Sequence, residues 1–168
     1  EVPPSPVKAA AAEAVAAARA KDDAALQAIA PRAGLDPWRV ADEILGLDED
    51  TAAVAFAAAT KGPDAAGLPA WVEKQRGVPD DAERRAKAAG AEEAVNANRA
   101  GKALDLVGKT TEPPKDLLDV RIAWARTIAL QHVREYAASA ASGRAAGEAA
   151  AAMGWWSQAS SALRMAVQ

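Results

Sequence analysis

The chain has 168 residues, 49 of them alanine, and its 20 Lys+Arg stand against 23 Asp+Glu for a net charge of −3. That acidic balance, with a pI near 5.3, is the opposite of the basic footprint expected of a nucleic-acid binder. The absence of cysteine removes disulfides, thiolate zinc sites and a cysteine nucleophile, and no charge-free apolar run reaches the roughly 18 residues that a membrane span needs.

Alanine is the best helix former and a poor strand former, so the composition points to an all-α protein. Leu, Ile, Val and Phe together supply only 28 positions. Such a share marks disorder when net charge is high, but here the two signs nearly balance. A thin core is expected instead, with alanine at helix contacts and sparse Leu, Val and Trp as anchors. Glu1-Val2-Pro3-Pro4 has neither the basic nor the apolar segment of a signal peptide.

In chain order, Ser5-Pro6 reads as a cap and a first-turn proline opening a helix from Val7 to Ala20. Lys21-Asp22-Asp23 breaks it, and a second helix is predicted from Ala24 to Ala33, with Gly34 as its stop. Asp36-Pro37 opens a third, closed by Gly46, in which Trp38, Ala41, Ile44 and Leu45 share one face. Asp48 is expected to cap a fourth through Ala59. Trp71 to Arg76 is a short helix, and Asp80 is expected to cap another to about Arg99, supported by a Glu83/Lys87 pair. Gly101 to Val107 is a further short piece. No segment alternates long enough to be a strand.

Lys109-Thr110-Thr111-Glu112-Pro113-Pro114 reads as a linker. The expected organisation is therefore an N-terminal helical domain over 1–108, a linker over 109–115 and a second helical region over 116–168. This last region holds helices at Asp116 to about His132, Glu135 to Met153, and Trp155 onward. The pattern is still helical at Gln168, as expected of a fragment of a longer protein.

Gly147, Ala150, Gly154, Trp156, Ala159, Leu163 and Ala166 resemble the small and large positions of a tetratricopeptide (TPR) repeat, where small residues let antiparallel helices touch. A second register competes with this one. Tyr136 through Gly154 is similar to the long second helix and glycine turn of repeats extended from about 34 to roughly 40 residues. Trp155 to Gln168 would then begin the next repeat. This register is favoured, because a glycine requirement at 147 is weak inside an alanine helix. The resemblance departs from the family at Ala146, where Leu is usual, and at Gly143, where an aromatic would help. It implies stacked antiparallel helix pairs, as an α-solenoid or an irregular bundle, TPR-like toward the C-terminus. Asp36 to Glu43 and Leu68 to Val72 with Gln75-Arg76-Gly77 are similar to helical regions that precede TPR arrays in large bacterial proteins, many ending in a caspase-like CHAT peptidase domain. That likeness implies an accessory, cytoplasmic bacterial segment whose peptidase residues lie downstream.

Motifs for chemistry are few. Ala103 to Thr110 reads A-x-x-x-x-G-K-T, but a phosphate loop needs a preceding strand and a following helix. Here a helix precedes and Thr-Glu-Pro-Pro follows, so Gly108 and Lys109 read as a helix C-cap. His132 is the only histidine; without a second no metal pair forms, and its place at a helix end suits the dipole. The acids at 22–23, 48–50 and 80–81 are explained by capping, and Arg84 breaks a D-D-x-x-D magnesium motif. Glu92-Glu93 reads as a solvated face.

Five tryptophans remain. Trp38, Trp71 and Trp124 read as core anchors. Trp155 and Trp156 cannot point the same way; Trp156 is expected between helices and Trp155 toward a partner or a missing repeat. Two functions follow. The first is a non-catalytic interaction or scaffold module for a protein, a peptide or neighbouring domains, with Arg121, Trp124, Arg126, Trp155 and Arg164 at the partner surface and no cofactor or metal. The second is a small-molecule-binding or enzymatic domain with a pocket between helices. Val7–Ala20 lacks the large apolar residues of a membrane-surface helix.

Overall fold

The computed structural model describes residues 3–167; the readings made at Glu1, Val2 and Gln168 lie outside them. Ten α-helices and one 3-10 turn are present among the described residues, with no strand. They form two compact units, Glu1–Asp80 and Asp81–Gln168.

The first unit holds α1 (Pro6–Arg19), α2 (Asp23–Gln27), α3 (Pro37–Gly46), α4 (Asp50–Ala59) and α5 (Leu68–Gln75), with a 3-10 turn at Pro63–Ala65. Ser5 Oγ accepts the Lys8 amide at 3.3 Å, Asp22 accepts that of Ala25 at 3.0 Å and Asp36 that of Trp38 at 3.0 Å. Each cap satisfies an orphan donor of the first turn. The second helix is shorter than expected. Pro31 disfavours helical backbone at residue 30 and supplies no amide of its own, so the chain from Ala28 to Gly34 runs in turns. Asp48 does not cap α4, because its backbone is left-handed at φ 57° and the cap position falls to Glu49.

Trp38, Val40, Ala41 and Ile44 are buried in α3. Trp38 is fully enclosed with Phe56 and Val72. Its ring lies 5.5 Å from that of Trp71 at an interplanar angle of 48°, a tilted arrangement that aromatic quadrupoles favour. Its indole N–H donates to the Asp64 carbonyl at 2.9 Å, so the largest side chain of this core is also satisfied at its polar end.

The second unit holds α6 (Ala82–Asn96), α7 (Ala100–Val107), α8 (Leu117–His132), α9 (Tyr136–Met153) and α10 (Trp156–Met165). Asp81, not Asp80, caps α6 by accepting the Arg84 amide at 3.0 Å. Both α6 and α7 pack on α8. The segment 109–115, expected as a linker, is therefore a loop inside this unit, and the chain divides at Asp80–Asp81 instead of at 108.

Three helices in succession, α8, α9 and α10, pack neighbour to neighbour around Ala123, Ala146 and Ala162. Buried hydroxyls lie in the same contact: Ser139 and Ser142 donate to the carbonyls of Thr127 and Ala123, each at 2.9 Å. The approach of α9 to α10 depends on glycine. A Cβ at Gly147 would lie 2.6 Å from Leu163 Cγ, and one at Gly143 would lie 3.0 Å from the Ala162 carbonyl oxygen. Any larger residue at 147 must therefore displace the Leu163 side chain, a steric demand beyond the weak one expected of a glycine inside an alanine helix.

One corner geometry joins five pairs of consecutive helices. A single residue adopts left-handed backbone at Lys21, Asp48, Asn98, Arg134 and Gly154. The amide of the next residue reaches the carbonyl five positions back: Asp22 to Ala17 at 2.9 Å, Glu49 to Ile44 at 3.4 Å, Arg99 to Ala94 at 2.7 Å, Glu135 to Leu130 at 2.9 Å and Trp155 to Ala150 at 2.9 Å. This is the Schellman closure of a helix. The donor residue then serves directly as N-cap of the following helix. Four of the five left-handed residues are not glycine.

Candidate functional site

The residues expected at a partner surface are dispersed by the fold. Arg121 is only 4% exposed, and its Nε and Nη2 donate to the two carboxylate oxygens of Glu92 at 3.0 and 2.7 Å. A bidentate pair of this kind is strong because both ions are held in one plane. Glu92, expected on a solvated face, is instead the acceptor that lets α8 bury a guanidinium against α6. Arg126 is 7% exposed. Its Nε donates to the Gly108 carbonyl at 3.0 Å and its Nη2 to that of Val107 at 2.8 Å, closing the C-terminus of α7. Trp155 is fully buried while Trp156 is 53% exposed, the reverse of the expectation. The reason is the helix start: residue 155 is the N-cap of α10 and points inward, and residue 156 is its first turn.

Trp124 is half-buried against the alanine contact of α8, α9 and α10. Arg164 is exposed, with Nη2 3.3 Å from Ser160 Oγ. Leu163, beside it, is 40% exposed and falls seven residues after Trp156, two turns along the same face of α10. The outward face of this helix thus carries Trp156, Leu163 and Arg164. Sequence reading missed Trp156 in that role, although its place one residue after an N-cap could have assigned it.

A second feature of this unit is a cleft of about 640 Å³ between α6, the 108–116 loop and α8, lined by Arg84, Lys87, Val107, Gly108, Lys109, Thr110, Glu112, Pro113, Lys115, Asp116, Asp119, Ile122 and Arg126. One wall is an ion-pair cluster. Arg84 Nη2 stands 2.6 Å from both Asp116 Oδ1 and Asp119 Oδ1, and Nη1 donates to Asp116 Oδ2 at 2.9 Å. Asp116 is at the same time the N-cap of α8, accepting the Asp119 amide at 2.9 Å. Burial opposes ionisation of the Asp116 carboxyl. The Arg84 hydrogen bond and charge and the amides of Asp119 and Leu118 outweigh it, and hold the carboxyl below the usual range. Arg84 is held protonated more firmly than usual, mainly by its hydrogen bond to Asp116.

The remaining cations of the lining are Lys87, Lys109, Lys115 and Arg126. Burial pushes the Arg126 guanidinium pKa down, against the charges of Glu112 and Asp119, which raise it. Lys109 pairs with Glu135 at 2.5 Å. Lys87 does not pair with Glu83 as expected and lines the cleft instead. Gly108 and Lys109 close α7 as a C-cap, with the Gly108 amide donating to the Leu104 carbonyl at 2.7 Å. The first five residues of the A-x-x-x-x-G-K-T stretch, 103–107, therefore lie inside α7, and the stretch has no phosphate-loop geometry. Among the described residues no three His, Cys, Asp or Glu side chains converge as metal ligands, and no helix is long and apolar enough to cross a membrane. Comparison with known protein families, curated proteins and solved structures finds no match to the chain.

Proposed function

We propose that the chain is a non-catalytic helical interaction module that presents the outer face of α10 to a protein or peptide partner. The observation that carries this reading is the pairing of Trp156 and Leu163, 53% and 40% exposed, on one side of a helix whose other side is anchored by Ala159 and Ala162. Exposed aromatic and aliphatic side chains at helical spacing, next to an arginine, are the anchor types that dominate helix-mediated recognition. The TPR-like reading belongs to the same proposal: small residues at the α9–α10 contact and a left-handed glycine at 154 supply what repeat stacking needs. So does the reading of the chain as an accessory, cytoplasmic part of a larger bacterial protein.

The surface is accordingly reassigned. Arg121, Arg126 and Trp155 hold the unit together, while Trp156, Leu163 and Arg164 meet the partner, with Trp124 behind them. A photo-activated cross-linking residue placed at Trp156, compared with one at exposed Arg144 on α9, tests this. The expected result is a discrete adduct from position 156 that disappears in the L163A/R164A background and has no counterpart at 144. Equal, unselective labelling at the two positions would remove the proposal.

A further inference from the structure

We propose that the cleft between α6, the 108–116 loop and α8 is a binding site for a phosphate group, free or on a small organic molecule, and that Arg126, Lys87, Lys115 and Thr110 are its contacts. Five cationic side chains and three carboxylates line this cleft. With Glu135, which pairs Lys109, counted among the carboxylates, one positive charge remains in excess here in a chain whose overall charge is −3. Arg84 is consumed by Asp116 and Asp119, and Lys109 by Glu135. Lys87 and Lys115 are left, and neither ammonium takes part in an ion pair among the described residues.

Arg126 is the more telling group. A guanidinium that is more than nine-tenths buried normally lies against a carboxylate, because desolvating an unpaired charge is costly. Here its hydrogen-bond partners are two carbonyl oxygens, and Glu112 and Asp119 act on it only through their charges. Among the described residues no hydrogen bond is made by its Nη1, and Arg126 is among the residues that line the cleft. A planar fork, two flexible ammonium groups and the Thr110 hydroxyl, around a volume of about 640 Å³, suit an anion with several oxygens and about two charges. A single carboxylate would leave most of these donors unused. This inference goes beyond the interaction reading and does not depend on it, since none of the four residues lies on α10.

The full chain is titrated with inorganic phosphate, with glycerol 3-phosphate and with citrate at constant ionic strength, followed by amide chemical shifts and calorimetry. The expected result is saturable phosphate binding with Kd below about 1 mM, and shifts confined to residues 84–87, 108–116 and 126. Tighter binding of glycerol 3-phosphate than of inorganic phosphate assigns the group to an organic molecule, and equal binding assigns the site to free phosphate; either supports the proposal. K87A/K115A, two exposed changes outside every helix contact described above, is expected to weaken phosphate binding at least tenfold with unfolding unchanged, whereas K61A/K74A leaves it intact. R126Q should abolish it, and the lysine pair keeps the test valid if R126Q fails to fold. No saturable binding, citrate binding as tightly as phosphate, or indifference to K87A/K115A would each overturn the assignment.

Discussion

At the centre of the first unit two tryptophan rings lie 5.5 Å apart, and one of them hydrogen-bonds a carbonyl through its indole. At the centre of α8, α9 and α10 the corresponding places are taken by Ala123, Ala146 and Ala162, and glycine at 147 leaves room for the Leu163 side chain between α9 and α10. The two units draw on one alanine-rich composition; the second also buries Trp155, Val120 and Leu130, but its α8–α9–α10 contact is built in the opposite way from the tryptophan pair of the first. A core with a few large side chains concentrates its transfer energy in them and suffers when volume is removed. A core of small side chains gains little from each, brings backbones close and depends on directional bonds such as those of Ser139, Ser142 and Arg121. It suffers when volume is added or a polar partner is lost.

Trp38→Ala tests this contrast most severely. It empties the fully buried site and strands the Asp64 carbonyl, and a loss of about 3–5 kcal/mol is expected, read by chemical denaturation with amide exchange across α1 to α5. A loss below about 1 kcal/mol would mean that the aromatic pair is not the anchor of that unit. In the second unit Arg121→Met removes the guanidinium that donates to both Glu92 carboxylate oxygens. Glu92 keeps about a fifth of its exposure, so the expected loss is roughly 2–3 kcal/mol, short of a fully buried pair. Replacing Glu92 by Met as well should restore most of it. If the double variant is no better than the single one, the pair matters for more than charge compensation.

Gly147→Ala adds one methyl group against Leu163 and is expected to destabilise by about 1–3 kcal/mol. Leu163→Ala in the same chain should recover part of that loss, a coupling that a double-mutant cycle measures directly. Additive losses would show that the α9–α10 contact can slide to admit the methyl.

The ion-pair wall of the cleft gives a pH signature. The folded pKa of Asp116 lies below its ordinary value, so its contribution to stability is fully present above about pH 4 and is lost as pH falls through the folded pKa. Without Arg84, burial acts unopposed by its partner and raises that pKa. In Arg84→Gln, acid unfolding should therefore begin at higher pH, with a cost near neutrality below about 1 kcal/mol because the cluster is partly solvated. Carboxyl titration of Asp116 by NMR reads the same shift, and an unmoved titration would show that Arg84 is not what holds this carboxylate ionised.

How much of this could be read from the chain alone follows the range of each interaction. Ser5, Asp22, Asp36 and Asp116 announce their helices because a cap is satisfied within three residues. The all-α class and the face formed by Trp38, Ala41 and Ile44 are equally local. The fate of Arg121 is not, since its partner Glu92 stands 29 residues earlier, and an arginine read by itself looks solvent-facing. Trp155 and Trp156 exchange roles through a one-residue phase at the start of α10, which is finer than a periodic pattern defines. The cleft is assembled from residues 84 to 126, and no short motif could have announced it. The expected linker failed for a related reason: Pro113-Pro114 does mark irregular backbone, but the packing of α6 and α7 on α8 decides which unit owns the loop.

The left-handed corners carry a different kind of consequence. Lys21, Asp48, Asn98 and Arg134 sit in backbone that glycine adopts freely and other residues enter at a cost of roughly 1–2 kcal/mol. Their side chains supply none of the hydrogen bonds that close the corners, which run through backbone amides. Glycine at each should stabilise slightly, by a few tenths to about 1 kcal/mol once its own entropy is counted, and a fourfold variant should show a raised Tm with every buried contact unchanged. A saturation library should rank these four positions alike, with glycine first, asparagine next, and valine, isoleucine and proline depleted. Tolerance at these sites would then be governed by torsion angle alone, a grammar of joints spaced along the chain and independent of what the helices between them bury.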